Sequence, residues 1–433
     1  MSFKQTELGL IPDHWEYKIV SDLIAEKVLD KPLDGNHGGI HPTQKDFVEK
    51  GIPFVMASDI VDGMLDYSDC KYISLDKSKE LKKGFAKEGD VLLTHKATIG
   101  RVAIVGKIDT PYIVLTPQVT YYRVLNNKKI YNQFLKYYFS WNKFNELFLA
   151  WAQGGSTRAY LGITAQQKLP IIIPPLEEQK SIAKILSDLD KKIETNNKIN
   201  KKLEEMAQAI FKQWFVDFEF PNEDGKPYKS SGGEMVESEL GIIPEGWKIK
   251  ELKEVIKFNK GKKPKIITDK EFDNSKLYLT IDVLNRNSIQ YAINDKVVLA
   301  NKKDILMVMD GGSSGSLYYG LDGIVGSTLS KLVINDEYIN DDILYYFLKL
   351  NEFNIKGHLT GSAIPHTDKE YVNRLIMCIP NDKELLVRVT KILSDIREKV
   401  IINNEENSRL IKLRDILLPK LMSGEIRVPL GHE

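Results

Sequence analysis

Residues 184–200 read KILSDLDKKIETNNKIN, and the pattern returns at 391–407 as KILSDIREKVIINNEEN. In both copies apolar residues recur in steps of four and three, which is the heptad pattern of a helix that packs against a partner helix. The seam in the first copy consists of Ile182, Leu186, Leu189, Ile193, Asn196, Asn200, Leu203, Ala207, Ile210 and Trp214. The seam in the second copy consists of Val389, Leu393, Ile396, Val400, Asn403, Asn407, Leu410, Arg414, Leu417 and Leu421.

Asparagines interrupt both seams at matching positions, Asn196 and Asn200 in the first and Asn403 and Asn407 in the second. A buried polar residue at a seam position lowers stability but fixes the register of the two helices. Two such helices in one chain pair most simply as an antiparallel coiled coil, in which their middles meet. We therefore expect the two asparagine pairs to lie close together, the alternative being that they face solvent.

The two helices are expected to hold about 40 residues each and to span roughly 60 Å. Asn381, with Glu384 three residues later, has the form of a capping box at the start of the second helix. Pro419, followed by Ser423 and Gly424, is expected to end that helix.

A second repeat lies further from the helices, where TELGLIPDHW at 6–15 returns as SELGIIPEGW at 238–247 with six identical positions. This pair is offset by 232 residues, whereas the helical pair is offset by 207. A unit of roughly 200 residues is therefore duplicated, and its middle segment has diverged in length by a net 25 residues. Two similar folds around unlike inserts suggest that each copy reads something different.

The inserts contain short apolar runs separated by turn residues, with helical stretches at 130–151 and 340–355. The runs predicted as strands are 91–94, 101–105, 119–124 and 169–174 in the first copy, and 304–309, 317–320, 331–334 and 374–380 in the second. The predicted fold class is α+β: two mixed α/β domains in a pseudo-two-fold repeat, joined by two long helices that form an antiparallel coiled coil.

Composition sets broad limits. The 433 residues are too many for a single core, and 42% hydrophobic and 28% charged residues are ordinary for a globular protein. No apolar run reaches about 18 residues and no signal segment is recognised, while Cys70 and Cys378 lack a paired spacing, so a cytoplasmic location is expected. A net charge of +1 neither supports nor excludes nucleic acid, because local charge binds phosphate.

Loops between the predicted strands are rich in glycine and in side chains that bind phosphates and base edges. Residues 257–265 hold five lysines, although a solvated loop explains such a cluster equally well. His37 and His41 have the spacing of a metal pair but lie in a glycine-rich loop without a third ligand, so no metal is expected. DGGSSGS at 310–316 lacks the ending of a phosphate-binding P-loop.

The combination of motifs resembles a known family. Three segments together are similar to specificity subunits of Type I restriction–modification enzymes. They are a strand followed by a helix start, LPIIIPPLEEQKSIAKILSDLD (169–190), the end of the first helix, FKQWFVDFEF (211–220), and the opening of the second copy, ELGIIPEGW (239–247). The resemblance covers nearly the whole chain, and the two inserts match the family's target recognition domains only in general plan.

The resemblance implies a non-catalytic subunit that binds a bipartite, asymmetric site on double-stranded DNA, one half per recognition domain. The half-sites should be read in major grooves about one helical turn apart, near 10 bp centre to centre, with the coiled coil as spacer. It implies as partners two modification subunits, which methylate adenine at N6 with S-adenosylmethionine, and restriction subunits, which use ATP and Mg. No cofactor is expected in this chain, since it has neither a [DNS]PP[YFW] motif nor a Walker motif.

The domain boundaries that follow are 1–175 for the first recognition domain, 176–216 for the first spacer helix, 217–237 for a linker, 238–380 for the second recognition domain, 381–422 for the second spacer helix and 423–433 for a tail. Two other readings remain: a coiled-coil scaffold that joins proteins without reading DNA, and a fused enzyme, which the missing catalytic motifs disfavour.

The loop residues expected to contact DNA are donors and acceptors of the types that phosphates and bases bind. Gln118 and Asn36 suit bidentate contacts with adenine, while Arg101 and Arg158 suit guanine or phosphate. In the first domain the candidates are Asn36, His37, Thr43, Lys45, Lys96, Arg101, Gln118, Ser156, Thr157 and Arg158. In the second domain they are Lys262, Lys263, Lys265, Ser313, Ser314, Ser327, Lys331, Ser362 and His366.

Overall fold

The computed structural model describes residues 2–154, 159–293, 296–361 and 363–429. The chain divides into two compact units, one formed by residues up to Ile193 together with those from Ser408 onward, and one formed by Glu194–Asn407. Each unit contains one of the duplicated domains and a segment of each long helix.

The first domain is built on two sheets. The four-stranded sheet has the order Thr98–Ile104, Val91–Lys96, Val119–Tyr122, Leu33–Asp34, and the five-stranded sheet has the order Phe85–Ala86, Ile113–Leu115, Ile52–Val55, Lys71–Ile73, Phe47–Val48. Two-stranded pairs are Phe3–Thr6 with Gly9–Pro12, Glu16–Ile19 with Pro170–Ile173, and Ile60–Val61 with Met64–Leu65. The helices are Val20–Ala25, Leu75–Lys79, Asn132–Ser140, Asn142–Gln153 and Ile163–Gln166, with short 3-10 turns at Gly38–Ile40, Gln44–Asp46 and Ala57–Asp59.

The second domain repeats this plan. Its four-stranded sheet has the order Leu317–Tyr318, Leu306–Val308, Leu329–Ile334, Ile256–Lys260, and its five-stranded sheet Leu299–Ala300, Gly323–Val325, Ser275–Leu279, Tyr291–Ile293, Ile267–Thr268. Two-stranded pairs are Met235–Ser238 with Gly241–Pro244, Trp247–Glu251 with Ile376–Pro380, and Leu359–Thr360 with His366–Thr367. The helices are Leu252–Val255, Ile281–Leu284, Asp341–Gly357 and Lys369–Asn373.

The two domains share their strand order, including the single parallel pair in each five-stranded sheet. The predicted duplication is therefore confirmed in the inserts, where the sequences have diverged most. All eight predicted runs form strands, and the predicted helical stretch at 130–151 is confirmed as helical, although it is divided into two helices. The two helices are separated at Trp141, which is fully buried and has an extended backbone conformation. Tyr138 and Phe139 of the first helix contact the ring of Phe144 in the second.

The long helices are Leu176–Phe215 and Lys383–Met422, each of 40 residues as expected. The predicted cap at Asn381 is wrong, because the carboxylate of Asp382 accepts the first free backbone N–H groups, from Glu384 and Leu385. Pro419 lies within the helix, which ends at Met422, directly before Ser423 and Gly424, as predicted. In the described part of the chain no helix is both long and apolar enough to cross a membrane.

The heptad seams pack as an antiparallel coiled coil. In the first unit Ile182 and Leu186 share a buried core with Leu418 and Leu421, whereas in the second unit the asparagines meet. The amide of Asn196 donates to the Oδ1 of Asn407 at 2.9 Å, and that of Asn403 donates to Asn200 at 2.8 Å. The predicted proximity is confirmed and the solvent-facing alternative is wrong, since all four residues are buried.

Neighbouring asparagines complete this asparagine cluster, which we define as Asn196, Asn197 and Asn200 with Asn403, Asn404 and Asn407. Asn200 donates to Asn404 at 3.0 Å, and Asn407 donates to Asn197 at 2.8 Å. Each bond has a counterpart with the two copies exchanged, so the cluster follows the pseudo-two-fold repeat bond for bond.

Candidate nucleic-acid interface

In the first domain, loops from distant parts of the chain meet at one end of the four-stranded sheet. The N–H of His95 donates to the carbonyl of Gln118 at 2.9 Å, and the N–H of Leu161 donates to the carbonyl of His95 at 3.1 Å. Gly35 donates to Thr116 at 3.3 Å and approaches so closely that a Cβ on it would lie 1.9 Å from the carbonyl oxygen of Leu115. We call residues 34–37, 95–97, 116–118 and 159–161 the first loop cluster.

The second domain has the same arrangement. Met309 donates to the carbonyl of Thr328 at 2.7 Å, and Thr367 donates to the carbonyl of Met309 at 2.8 Å. Gly261 takes the place of Gly35, since a Cβ on it would lie 2.2 Å from the carbonyl oxygen of Gly326. We call residues 260–263, 309–314, 326–328 and 363–367 the second loop cluster. The matching backbone bonds make His95 equivalent to Met309 and Leu161 equivalent to Thr367.

A buried carboxylate, that of Asp34, lies within the first loop cluster. It forms an ion pair with Lys83 and a 3.0 Å contact with Nε2 of His37, and the Nε2 of buried His95 is 3.9 Å away. Burial by itself raises the pKa of Asp34, but the bonds from Lys83 and His37 outweigh burial and lower that pKa below its ordinary value. Asp34 is therefore ionised at neutral pH and orders the loop that carries His37.

The second loop cluster also contains a carboxylate, Asp310, at a different position. Its oxygens contact the ammonium of Lys260 at 3.0 Å and Nδ1 of His366 at 2.8 Å. Burial raises the pKa of Asp310, but the hydrogen bonds from Lys260 and His366 outweigh that effect and lower the pKa. The group thus holds a partly exposed imidazole and ammonium at the end of the sheet.

Several predicted contact residues lie at the surface with their polar groups accessible. His37, Lys45 and Lys96 are exposed in the first domain, and Lys262, Lys263, Lys265 and His366 are exposed in the second. Gln118, Ser313 and Ser327 are half-buried. The tertiary structure brings His37, Lys96 and Gln118 into the first loop cluster, and Lys262, Lys263, Ser313, Ser327 and His366 into the second.

Other predicted residues use their polar groups inside the fold. The guanidinium of exposed Arg101 donates to the carbonyls of Ala57 and Ile60, both at 3.2 Å, and the hydroxyl of Thr43 bonds to Asp46 at 3.0 Å. The ammonium of Lys331 is half-buried against Asp304 at 2.7 Å. These side chains hold loops and strands in place, and a contact with DNA stays a prediction for each.

Two expectations need correction. Asn36 is only 2% exposed, and its amide accepts from the N–H of Lys82 and donates to the carbonyl of Lys83, so it offers no free edge to adenine. Ser314 is also buried, and its hydroxyl donates to the carbonyl of Gly311 in its own loop or to that of Pro365 in a segment distant along the chain. Ser156, Thr157, Arg158 and Ser362 lie outside the described residues.

The sequence did not single out Asp34, Tyr160, Lys260 or Asp310, which the structure places in the loop clusters. Lys260 is one of the five lysines at 257–265 and Asp310 opens the segment 310–316, while Asp34 and Tyr160 lie beside polar loops. Their partners are distant in the chain, 50 residues from Lys260 to Asp310 and 56 from Asp310 to His366. Only the matched strand ends could have identified them.

The described residues contain no group of three or more His, Cys, Asp or Glu side chains placed to hold a metal ion. His37 contacts Asp34, whereas Nδ1 of His41 faces the carbonyl of Asn36 at 3.1 Å. The two imidazoles therefore have separate partners within the loop.

Comparison with known proteins agrees with this architecture. A family model described as the Type I restriction modification DNA specificity domain matches residues 29–205 and again 244–412, one domain and one long helix each time. The chain is similar to the MjaIX specificity subunit of Methanocaldococcus jannaschii, with 28% identity over 98% of this chain and 96% of the relative. It is also similar to the MjaX specificity subunit described as putative in that organism, at 26% identity over 99% and 97%.

A solved structure shows the same fold. The crystal structure of the Type I restriction–modification S subunit from M. genitalium aligns with a TM-score of 0.58 at 17% identity, covering 98% of this chain and 97% of that one.

Proposed function

Because this chain belongs to the Type I restriction modification DNA specificity family, we propose that it selects the DNA sequence on which a restriction–modification complex acts. Each domain reads one half of a bipartite site on double-stranded DNA. The observation that carries this proposal is the pair of loop clusters, which occupy the same place in two domains of the same topology. Their side chains differ, so the two half-sites differ and the site is asymmetric.

Exposed lysines supply the attraction to the DNA backbone in this proposal. Lys45 lies in the turn Gln44–Asp46 of the first domain, and Lys262, Lys263 and Lys265 lie on one loop of the second. Ammonium groups at such positions release counterions from phosphates, so binding should weaken as salt rises. The overall charge of +1 conceals these local patches.

The coiled coil serves as a spacer of fixed length between the half-sites in the same proposal. The chain itself is non-catalytic and carries no cofactor. Two modification subunits methylate adenine at N6 with S-adenosylmethionine, and restriction subunits supply the chemistry that needs ATP and Mg. The asparagine cluster sets the register of the helices and thereby the spacing.

The test uses the full chain in complex with its modification subunits. We expect binding to duplex DNA that weakens with salt, and methylated adenines in a genome that share one bipartite, asymmetric motif. Absence of salt-dependent binding would favour a scaffold that only joins proteins. Methylation of DNA by the purified chain alone would contradict a non-catalytic role.

A further inference from the structure

One short antiparallel bridge joins two loops at the centre of each loop cluster. In the first domain it pairs Lys96 with Tyr160, and in the second it pairs Asp310 with His366. These bridges are equivalent, because each follows His95 or Met309 on one side and precedes Leu161 or Thr367 on the other. We call the two residues of each bridge a bridge pair.

The two bridge pairs have the same backbone and unlike side chains. In the first domain the ammonium of Lys96 lies 5.8 Å from the ring centre of Tyr160, which is 43% exposed. In the second domain the carboxylate of Asp310 contacts the imidazole of His366, whose side chain is 47% exposed. A cation and an aromatic ring in one copy therefore correspond to an anion and an imidazole in the other.

The imidazole of His366 in the second bridge pair is positioned by Gly361 on its ring carbon Cδ2 and by Asp310 on Nδ1. Gly361 has a φ of +85°, and a Cβ on it would lie 2.8 Å from Cδ2 of His366, so the imidazole packs directly against bare backbone. Because an ionised carboxylate only accepts, Nδ1–H of His366 donates the hydrogen bond to Asp310, and Nε2 is the nitrogen that the ring can offer to another molecule.

We propose that the bridge pairs are the base-reading positions that make the two half-sites differ, an inference that rests on the proposed function. In the tautomer that carries its proton on Nδ1, the Nε2 of His366 is an acceptor, and in the major groove it suits the exocyclic amine of adenine or cytosine. Lys96 donates only, and suits O6 and N7 of guanine. Asp310 is a positioning residue that fixes the tautomer of His366.

The experiment uses the complex of the full chain with its modification subunits and compares duplexes in which every base pair of both half-sites is changed in turn. His366→Tyr should lower discrimination by about 10- to 100-fold at one position of one half-site. Lys96→Met should do the same at one position of the other half-site. Asp310→Ala should relax the same position as His366→Tyr, and Asp310→Asn, which keeps an acceptor, should restore part of it.

A matched control is His358→Gln, since His358 lies in the same domain and precedes the strand Leu359–Thr360 that pairs with His366–Thr367, but its imidazole stacks on Tyr371 and it is not a member of the bridge pair. This variant should keep the full site preference. Unchanged discrimination at every base in both folded His366→Tyr and Lys96→Met complexes would overturn the inference while leaving the proposed function intact. A wild-type complex without sequence-specific, salt-dependent binding would instead overturn the proposed function.

Discussion

The asparagine cluster and the bridge pairs are both duplicated, yet only the asparagine cluster has the same side chains in its two copies. Asn196 bonds to Asn407 as Asn403 bonds to Asn200, whereas Lys96 and Tyr160 correspond to Asp310 and His366. In the cluster each copy is the partner of the other, so a change on one side leaves a buried amide without its bond. A bridge pair contacts no equivalent of itself, and its chemistry is free to differ.

The contact between each long helix and its own domain is also duplicated, and it is intermediate between the asparagine cluster, whose side chains are identical in both copies, and the bridge pairs, whose side chains differ. Asp190 and Arg397 are equivalent by the repeat, but their charges are opposite. Asp190 accepts from Tyr137 at 2.7 Å and from Arg414 at 3.1 Å, while Arg397 donates to Asp342 at 2.7 Å. The position of the contact is shared and its polarity is reversed, because both partners of each pair lie within one unit and can change together.

The largest effect should come from breaking this contact in the second unit. Arg397 is 2% exposed, donates to Asp342 and to the carbonyl of Lys303, and lies 4.4 Å from the ring centre of Tyr319. Arg397→Ala leaves a buried carboxylate unpaired and should lower the free energy of unfolding by about 3–5 kcal/mol in urea titrations. Asp190→Ala, at a more exposed pair, should cost about 1 kcal/mol.

The control for Arg397 is Arg388→Ala, an exposed arginine on the same helix, which should stay within about 0.5 kcal/mol of wild type. Equal losses for Arg397→Ala and Asp190→Ala would show that the two contacts do not differ in the way their burial indicates.

The asparagine cluster should give the next largest effect. Asn403→Leu removes the donor to Oδ1 of Asn200, and should lower the free energy of unfolding by about 1–3 kcal/mol. Replacing Asn196, Asn200, Asn403 and Asn407 together by leucine removes these stranded groups and should recover stability while loosening the register. Spin labels on exposed Lys198 and Ile402 would then show a broader distance distribution. A single sharp distance in the fourfold variant would argue against the register role.

The stability of the first loop cluster should depend on pH in a way that the second loop cluster does not share. Burial lowers the pKa of His95, whose equivalent in the second domain is Met309. The folded state therefore stays unprotonated where the unfolded state binds a proton, and the stability that His95 contributes is present above about pH 6.5 and lost as pH falls below it. Thermal unfolding at pH 8 and 5.5 should show about 1 kcal/mol less acid destabilisation in His95→Met. If wild type and His95→Met lost the same stability between pH 8 and 5.5, His95 would not be the group responsible for the acid destabilisation.

The smallest effect should come from single exposed lysines outside the bridge pairs. Each should contribute attraction to phosphates without affecting which bases are preferred. Lys263→Ala should weaken DNA binding a few-fold for all sequences and lower the slope of log affinity against log salt by about 1. Lys198→Ala is the matched control, since Lys198 lies on the first long helix in an ion pair with Glu194. A change in base preference at Lys263 would make it a base-reading residue instead.

Local pattern was enough to predict the long helices, since heptad spacing extends over 40 residues and does not depend on distant contacts. Details that depend on geometry were predicted less well. Asp382 rather than Asn381 caps the second helix, because the cap is set by which side chain reaches the free N–H groups. Trp141 breaks a stretch with continuous helical character, because its burial outweighs the local preference.

For the candidate site too, local sequence predicted the general character and the tertiary structure determined the details. Residue type correctly indicated polar loops, but it could not show that Asn36 and Ser314 bond within the fold while His366 remains exposed. A side chain that suits a base edge suits a backbone carbonyl equally well, so only its surroundings decide between the two.

The sequence by itself determined the duplication, the antiparallel pairing of the helices and the meeting of the asparagines, because these follow from periodicity and from matched offsets. The tertiary structure decided which loops come together. Lys96 meets Tyr160 and Asp310 meets His366 across more than 50 residues of chain, through strand pairing that no local pattern specifies. The two bridges are equivalent because the two domains share their strand order. Only a comparison of the backbones shows this equivalence, since the side chains of the two bridge pairs differ.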